Sequence, residues 1–422
     1  VNLIDRLPKE VQGLLRQIGE LGNRVEVQTY AVGGFVRDLI LGVSNLDLDV
    51  TVEGDGRYFA ESLAREIGGE VLSYDRFGTA TLILHKNGPI GRMDIATARR
   101  ERYPYPGALP EVEPGTIAED LFRRDFTINA MAMALNPDRF GELVDLYGGL
   151  KDLKEGLIRV MHDRSFIDDP TRLFRAVRFE TRYDFRLEPH TASLVERAIR
   201  DDMPLKVSRG RIWHELRLIL AEEVPEKPIG RLCEIGLLTF VNPDLDASED
   251  TMRFFGRIRD ALAELRRIGV RDRVDLSLVY FAAMIRGFRE DQIHEICREF
   301  GLSKEEERKL LDSLQIQHLR FDSDRRSRIY RAFEGRCIES LLFLLAKTDD
   351  ERVKSFTVEY LIDLRYVKPL ISGEDLKALG LKPGPIFGKI LRDAFDGQLD
   401  RELTSRSDLR GFLIRRGYIK CQ

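Results

Sequence analysis

The chain reads as an α+β protein, with a head of mixed strands and helices over residues 1–150 followed by an elongated all-helical arm. Three observations predict this. The segment Leu46 to Val52, LDLDVTV, alternates apolar and acidic residues with period 2, the pattern of a strand with one buried face. The run YAVGGFVRDLIL passes from a short apolar stretch through Gly33 and Gly34 into a helical pattern. After Asp152 the apolar residues recur with helical period, as in LFRAVRFETRY and RIWHELRLILAEE, and Pro170, Pro189, Pro204, Pro225 and Pro228 punctuate the segments.

Taken in order, the head opens on an amphipathic helix over Val11 to Leu21, then a strand at Tyr30 to Val32, the glycine turn and the helix FVRDLIL. The strand with the two acids follows, with Leu46, Leu48 and Val50 facing a core. Next come a helix near Tyr58 to Ile67 and strands at Thr79 to His85 and Arg92 to Ala96. Between Ala98 and Asp120 neither period is present. Pro104, Pro106, Pro110 and Pro114 break the segment, and it is too long for an ordinary connection. It is a lid beside the site or a surface insertion, and its place directly before RRDFTINAMAMAL favours the lid. The arm divides into a neck (151–225), a body (226–320) and a tail (321–422).

Composition bounds the function. The chain has 422 residues, 33% of them charged, with a net charge of -4 and no apolar run near 18 residues. A soluble protein without a membrane span is expected. No secretory signal is visible, and Cys233, Cys297, Cys337 and Cys421 are scattered without C-x-x-C spacing, which points to the reducing cytoplasm. The acidic total argues against indiscriminate nucleic-acid binding but leaves room for a local basic groove. Residue 1 is valine, which suggests part of a longer polypeptide.

Asp47 and Asp49 project from one face of their strand. Two close carboxylates stay ionised cheaply only beside a cation, and hard oxygen ligands suit Mg²⁺ or Mn²⁺, the ions of two-metal phosphate chemistry. Asp94 in RMDIATAR is either a third metal-binding or general-base acid or an edge-strand acid paired with Arg92 or Arg99. The turn at Gly33 and Gly34 offers backbone N–H groups and a helix N-terminus to a phosphate, with Arg37 in the first helical turn able to reach a triphosphate. In RRDFTINA, Arg124 is a second candidate for the triphosphate, while Asp125 and Asn129 fix the turn into a helix. In VDLYGGLKDL, Asp145 and Gly148–Gly149 suggest a cap and hinge. In FIDDPTRLFRAVRF, Pro170 starts a helix on which Asp169, Arg172, Arg175 and Arg178 sit three apart. Such a row is either a salt-bridged surface or a template made of protein. A carboxylate accepts from the exocyclic amine of cytosine or adenine and a guanidinium donates to the ring acceptors, whereas uracil and guanine leave polar groups unpaired at about 1–3 kcal/mol each.

These motifs, in this order from Gly33 to about Leu220, resemble the class II tRNA nucleotidyltransferase and bacterial poly(A) polymerase family of the polymerase-β-like nucleotidyltransferase superfamily. The resemblance implies a polymerase-β-like head with a small mixed sheet. It implies that Asp47 and Asp49 bind two Mg²⁺ ions, that Asp169 and Arg172 read the base, and that Arg175 and Arg178 lie nearer the ribose and phosphates. The family usually has glutamate where this chain has Asp168. SRGRIWHELRLIL (Ser208 to Leu220) resembles a further family motif, with Trp213, Leu216 and Ile219 assigned to packing and Glu215 and Arg217 to bracing the neck away from substrate. The implied substrates are ATP and possibly CTP, and the implied partner is the tRNA acceptor and TΨC arm, bound by a basic patch among the arginines of 253–273, 320–331 and 401–416. The family holds CCA-adding, CC-adding and A-adding members. CC-only addition is disfavoured by the full segment at 98–120, and the valine start tilts toward A addition. A poly(A) polymerase or a non-catalytic tRNA-binding protein are the alternatives, and the oligomeric state stays open.

Overall fold

The computed structural model describes residues 3–74, 78–84, 89–321 and 323–420. His85 and Cys421 therefore lie outside the described residues. The chain divides into two compact units, Val1–Leu216 with Gly230–Val241, and Arg217–Ile229 with Asn242–Gln422. The nucleotide-selecting helix expected at Pro170 belongs to the same compact unit as the head.

In the first unit α1 (Lys9–Arg24) precedes β1 (Thr29–Val32), and α2 (Gly34–Leu41) leads to β2 (Leu48–Val52). Then come α3 (Gly56–Ile67), β3 (Glu70–Tyr74), β4 (Thr79–Ile83) and β5 (Arg92–Thr97). A hairpin of β6 (Arg99–Arg102) and β7 (Glu111–Pro114) follows, with α4 (Ile117–Phe122), β8 (Ala132–Ala134), β9 (Leu143–Val144) and α5 (Gly149–Glu155). The short α6 (Ser165–Asp168), then α7 (Thr171–Tyr183), α8 (Pro189–Arg200) and α9 (Arg209–Leu220), continue the chain. Seven strands form one sheet in the order β3-β4-β5-β2-β1-β8-β9, in which β2 and β5 are parallel and the remaining neighbours antiparallel.

The local chemistry explains the breaks. Asp55 caps α3 by accepting from the N–H groups of Arg57 and Tyr58 at 3.0 and 3.2 Å. Thr116 and Glu119 form a reciprocal capping box that starts α4. Asp145 accepts from the N–H groups of Gly149 and Leu150 at 2.8 and 2.9 Å, so the expected cap of α5 is present. Asp125 accepts from its neighbour's N–H at Phe126 (2.8 Å) and from the Asn129 amide (3.0 Å), fixing a 3₁₀ turn over Thr127–Asn129.

Several expectations need correction. β2 begins at Leu48, so Asp47 stands at the strand's entry, and Leu46 is only half-buried. Residues 98–120 are not irregular: arginines and glutamates face each other across the β6–β7 ribbon, with Arg100 and Glu113 both register partners and an ion pair at 2.5 Å. Pro170 occupies the N-cap of α7 and Thr171 its first position. β5 is a central strand with partners on both sides, not an edge.

The second unit is helical from Glu249 to Arg415. Its last part packs Leu376, Ile390, Leu403, Leu409 and Phe412 into a core of its own. No helix among the described residues is long and apolar enough to cross a membrane.

Candidate active site

The parallel pairing of β2 and β5 sets Asp49 directly against Asp94. Asp47, two residues earlier, falls on the same side of the strand. Asp94 accepts from Thr81 Oγ1 at 2.5 Å and from Arg92 Nη2 at 2.9 Å, while Arg99 turns away to Glu101 at 2.9 Å. Asp94 thus adjoins Asp49 and is paired with Arg92, on a central strand and not an edge. Burial pushes the Asp49 carboxyl up to about 6; Arg124 opposes this, and the charges of Asp47 and Asp94 add to it. Among the described residues neither Asp47 nor Asp49 has an ion-pair partner, and no three His, Cys, Asp or Glu side chains gather into a preformed metal cluster. Two carboxylates short of positive charge fit a hard divalent cation that takes its remaining ligands from water and substrate oxygens.

The glycine turn lies beside them. Gly33 has φ +68°, and a Cβ there would come within 2.6 Å of Arg124 Nη1, so the guanidinium occupies the space a side chain would need. Its N–H donates to Met131 O at 3.1 Å, so it is not the free phosphate donor anticipated from the motif; Gly34 is the first residue of α2. Arg124 is anchored to Asp120 at 3.0 Å, and its Nε is buried without a hydrogen-bond partner. Arg37 is 4% exposed, donates to Asp38 at 2.8 Å and Asn129 Oδ1 at 2.5 Å, and stacks over Tyr183 at 4.8 Å. It braces the wall in place of extending a free fork. Gly33→Ala is expected to cost about 1–2 kcal/mol for the left-handed backbone, plus displacement of Arg124, read as a lower urea midpoint and weaker triphosphate binding.

The opposite wall is built by α7 and α9. Leu173, Phe174 and Val177 bury one side of α7, which fixes the row of arginines on the other. Asp169 accepts from the Thr171 hydroxyl at 2.7 Å and from Arg211 Nη2 at 2.8 Å. Arg172 donates to Ser165 Oγ at 2.8 Å and to the Arg123 carbonyl at 2.7 Å. Arg175 donates to Asp125 through Nε (2.8 Å) and Nη2 (2.6 Å). Burial would raise the Asp125 carboxyl, but Arg175 and the Asn129 amide outweigh it and hold it down to about 2. Glu215 lies 3.7 Å from Arg175 and 4.0 Å from Arg178, and burial pushes its carboxyl up against the pull of both arginines. Glu215 also lines the cavity, beside these two arginines. Arg217 pairs with Asp275 and with Glu306, the latter at 2.6 Å, while Trp213, Leu216 and Ile219 are buried as expected. Asp168 pairs with Arg164 at 2.9 Å.

One cavity of about 680 Å³ joins the two walls. Gly33, Gly34, Arg37, Asp47, Asp49 and Arg124 line one side, and Asp169, Arg172, Arg175 and Arg178 the other. Asp94 is absent from the lining and meets the site through Asp49. Asn45, Tyr103, Asp125 and Arg211 also line it and were not singled out as site residues from the sequence.

Residues 29–159 match the poly A polymerase head domain family, and residues 184–249 the family described as "Probable RNA and SrmB- binding site of polymerase A". An A-adding tRNA nucleotidyltransferase of Halalkalibacterium halodurans is 35% identical over 97% of this chain and 95% of its own length. The chain belongs to the tRNA nucleotidyltransferase family. Another member, an A-adding enzyme of Geobacter sulfurreducens, is 38% identical over 98% of this chain, yet this chain spans only about half (48%) of that relative. A solved complex of a CCA-adding enzyme with ATP superposes with a TM-score of 0.72, at 31% identity over 98% of this chain and 97% of the other. The head sheet followed by helices is thus the fold of this nucleotidyltransferase family.

Proposed function

We propose that the chain transfers AMP from ATP to the 3′-hydroxyl of a tRNA ending in CC, releasing pyrophosphate without a nucleic-acid template. The observation that carries this is the single cavity with paired carboxylates on one wall and a carboxylate–arginine row on the other. Support for tRNA as acceptor comes from the A-adding relatives, and support for ATP from the CCA-adding enzyme solved with it. The Halalkalibacterium relative matches over nearly its whole length and is A-adding, which favours A over full CCA addition, and the complete segment at 98–120, with its β6–β7 ribbon, disfavours CC-only addition.

Asp47 and Asp49 would hold Mg²⁺ or Mn²⁺, which when bound supplies Lewis-acid stabilisation of the charge on the reacting phosphate. Asp94 keeps Asp49 flanked by negative charge. Arg124, with Gly34 and Arg37 beside it, gives the triphosphate a positive wall. Asp169, oriented by Arg211, would accept from the adenine amine, and Arg172, oriented by Ser165, would donate to the ring nitrogen. Arg175 and Arg178 sit farther along the helix, toward ribose and phosphates. Proposed bounds of the parts are the head at 1–150, the neck at 151–225, the body at 226–320 and the tail at 321–422. The reading puts the chain in the cytoplasm, where its unpaired cysteines are at home.

The test supplies tRNA transcripts ending in the discriminator base, in C or in CC, each with one of the four triphosphates and Mg²⁺. One A added only to the CC end is the expected product. CTP use on shorter ends means CCA synthesis, long A ladders mean a poly(A) polymerase, and no incorporation sinks the enzymatic reading. In the same assay Asp169→Ala is expected to lower the preference for ATP over GTP by about tenfold to a hundredfold, the worth of one or two buried hydrogen bonds. Unchanged selectivity would remove Asp169 from base reading.

A further inference from the structure

Asn45 stands in the irregular stretch between α2 and β2, and its amide is engaged at both ends. Its Oδ1 accepts the backbone N–H of Asp47 at 3.0 Å, and its Nδ2 donates to Asp38 Oδ2 at 2.7 Å. Asp38 is itself firmly held. It is 4% exposed, and its Oδ1 accepts from Arg37 Nε at 2.8 Å and from the Tyr183 hydroxyl at 3.0 Å. From Arg37 the hydrogen bonds continue through Asn129 and Asp125 to Arg175 on α7.

Asp47 needs such a support. Sheet pairing of β2 begins at Leu48, so no ladder hydrogen bond holds the residue that carries the outer carboxylate. Asp49, by contrast, is fixed within the sheet by its register with Asp94. A ligand on an unpaired loop must be ordered when the ion arrives, and that ordering weakens binding. Asn45 lowers the cost by tying the Asp47 backbone to the buried Arg37–Asp38 pair.

We propose that Asn45 is a positioning residue for the divalent-cation site, clamping Asp47 to the buried Arg37–Asp38 pair before the ion binds. This rests on the reading that Asp47 and Asp49 hold the ion. Groups that orient metal ligands from behind typically set affinity by about 10–100-fold.

Mn²⁺ binding to the full chain without nucleotide, followed by the loss of the free-ion electron paramagnetic resonance signal, tests it. Asn45→Ala is expected to weaken Mn²⁺ by about tenfold or more. ATP binding measured in EDTA should stay at the unsubstituted value. Asp49→Asn is run beside it and is expected to lose the Mn²⁺ site. If Asp49→Asn binds Mn²⁺ normally, the metal assignment itself is wrong. If Asp49→Asn loses the ion while Asn45→Ala keeps full affinity, the clamp is overturned and the metal assignment stands. A parallel loss of metal-free ATP binding in Asn45→Ala would also overturn it, because Asn45 would then merely shape the cavity.

Discussion

Replacing Asp49 by asparagine is expected to abolish nucleotide incorporation and, in EDTA, to raise the melting temperature. The catalytic loss should be about a thousandfold or more, since a cation ligand and several kcal/mol of charge stabilisation go with it. The gain in stability follows from burial. The native Asp49 carboxyl is raised from 3.8 to about 6, so the folded protein takes up the proton more readily than the unfolded chain. Its contribution to stability is present below about pH 4 and is lost as pH rises through 6. Above that the ionised group costs up to about 3 kcal/mol, which the neutral amide avoids. Thermal melts in EDTA at pH 8 should therefore place the variant several degrees higher, and at pH 4 the two curves should converge. A variant melting lower at pH 8 would mean that Asp49 is stabilised by its surroundings as an anion. The same shift predicts that cation binding weakens as pH falls below 6, because the proton and the ion compete for the carboxylate.

Asp125→Ala should have the largest effect on folding, about 3–5 kcal/mol of destabilisation, because Arg175 is left charged beside a buried gap. The sign with pH is opposite to that of Asp49. The Asp125 carboxyl is held at about 2, so its contribution is present above the ordinary carboxylate range and is lost as pH falls toward 2. Urea unfolding at pH 7 measures the loss. Adding Arg175→Leu should recover part of it, since both members of the pair are then gone. A double variant as unstable as the sum of the two singles would show that the ion pair is not the source.

What the sequence disclosed depends on whether the signal is local. The carboxylates of LDLDVTV were legible because they interrupt an apolar run with period 2, although β2 itself is buried at every residue but Asp49 and starts two residues later than expected. β3 was missed because it is largely exposed and carries no alternation, and β8 because three residues buried on both faces have no period. The arginine row of α7 was visible as spacing, but its division of labour came only from the family resemblance. Partners such as Asp125 for Arg175, 50 residues apart, or Arg211 for Asp169, 42 apart, leave no periodic mark. The bond that holds Arg37 was invisible for the same reason: the Asn129 that accepts it is 92 residues away. Arg211 stood within the motif SRGRIWHELRLIL already noted, and a cation two residues before Trp213 was the one clue available.

The helical unit was expected to present a patch of arginine charge, yet Arg257 meets Asp349 at 2.7 Å, Arg259 meets Glu226 at 2.5 Å, Arg326 meets Glu359 at 2.7 Å and Arg331 meets Asp396 at 2.8 Å. Where the arginines are paired in this way, the surface carries its own counter-ions. An RNA strand laid on it would displace tethered carboxylates, which remain attached to the protein and gain no translational freedom on release. The entropy that normally drives polyanion binding would be largely missing, and the affinity would fall with salt less steeply than the number of arginines implies. Discrimination among RNAs would then come from how well a backbone of given shape satisfies many exchangeable pairs at once, and an ordinary stretch of nucleic acid would gain little from touching a few of them.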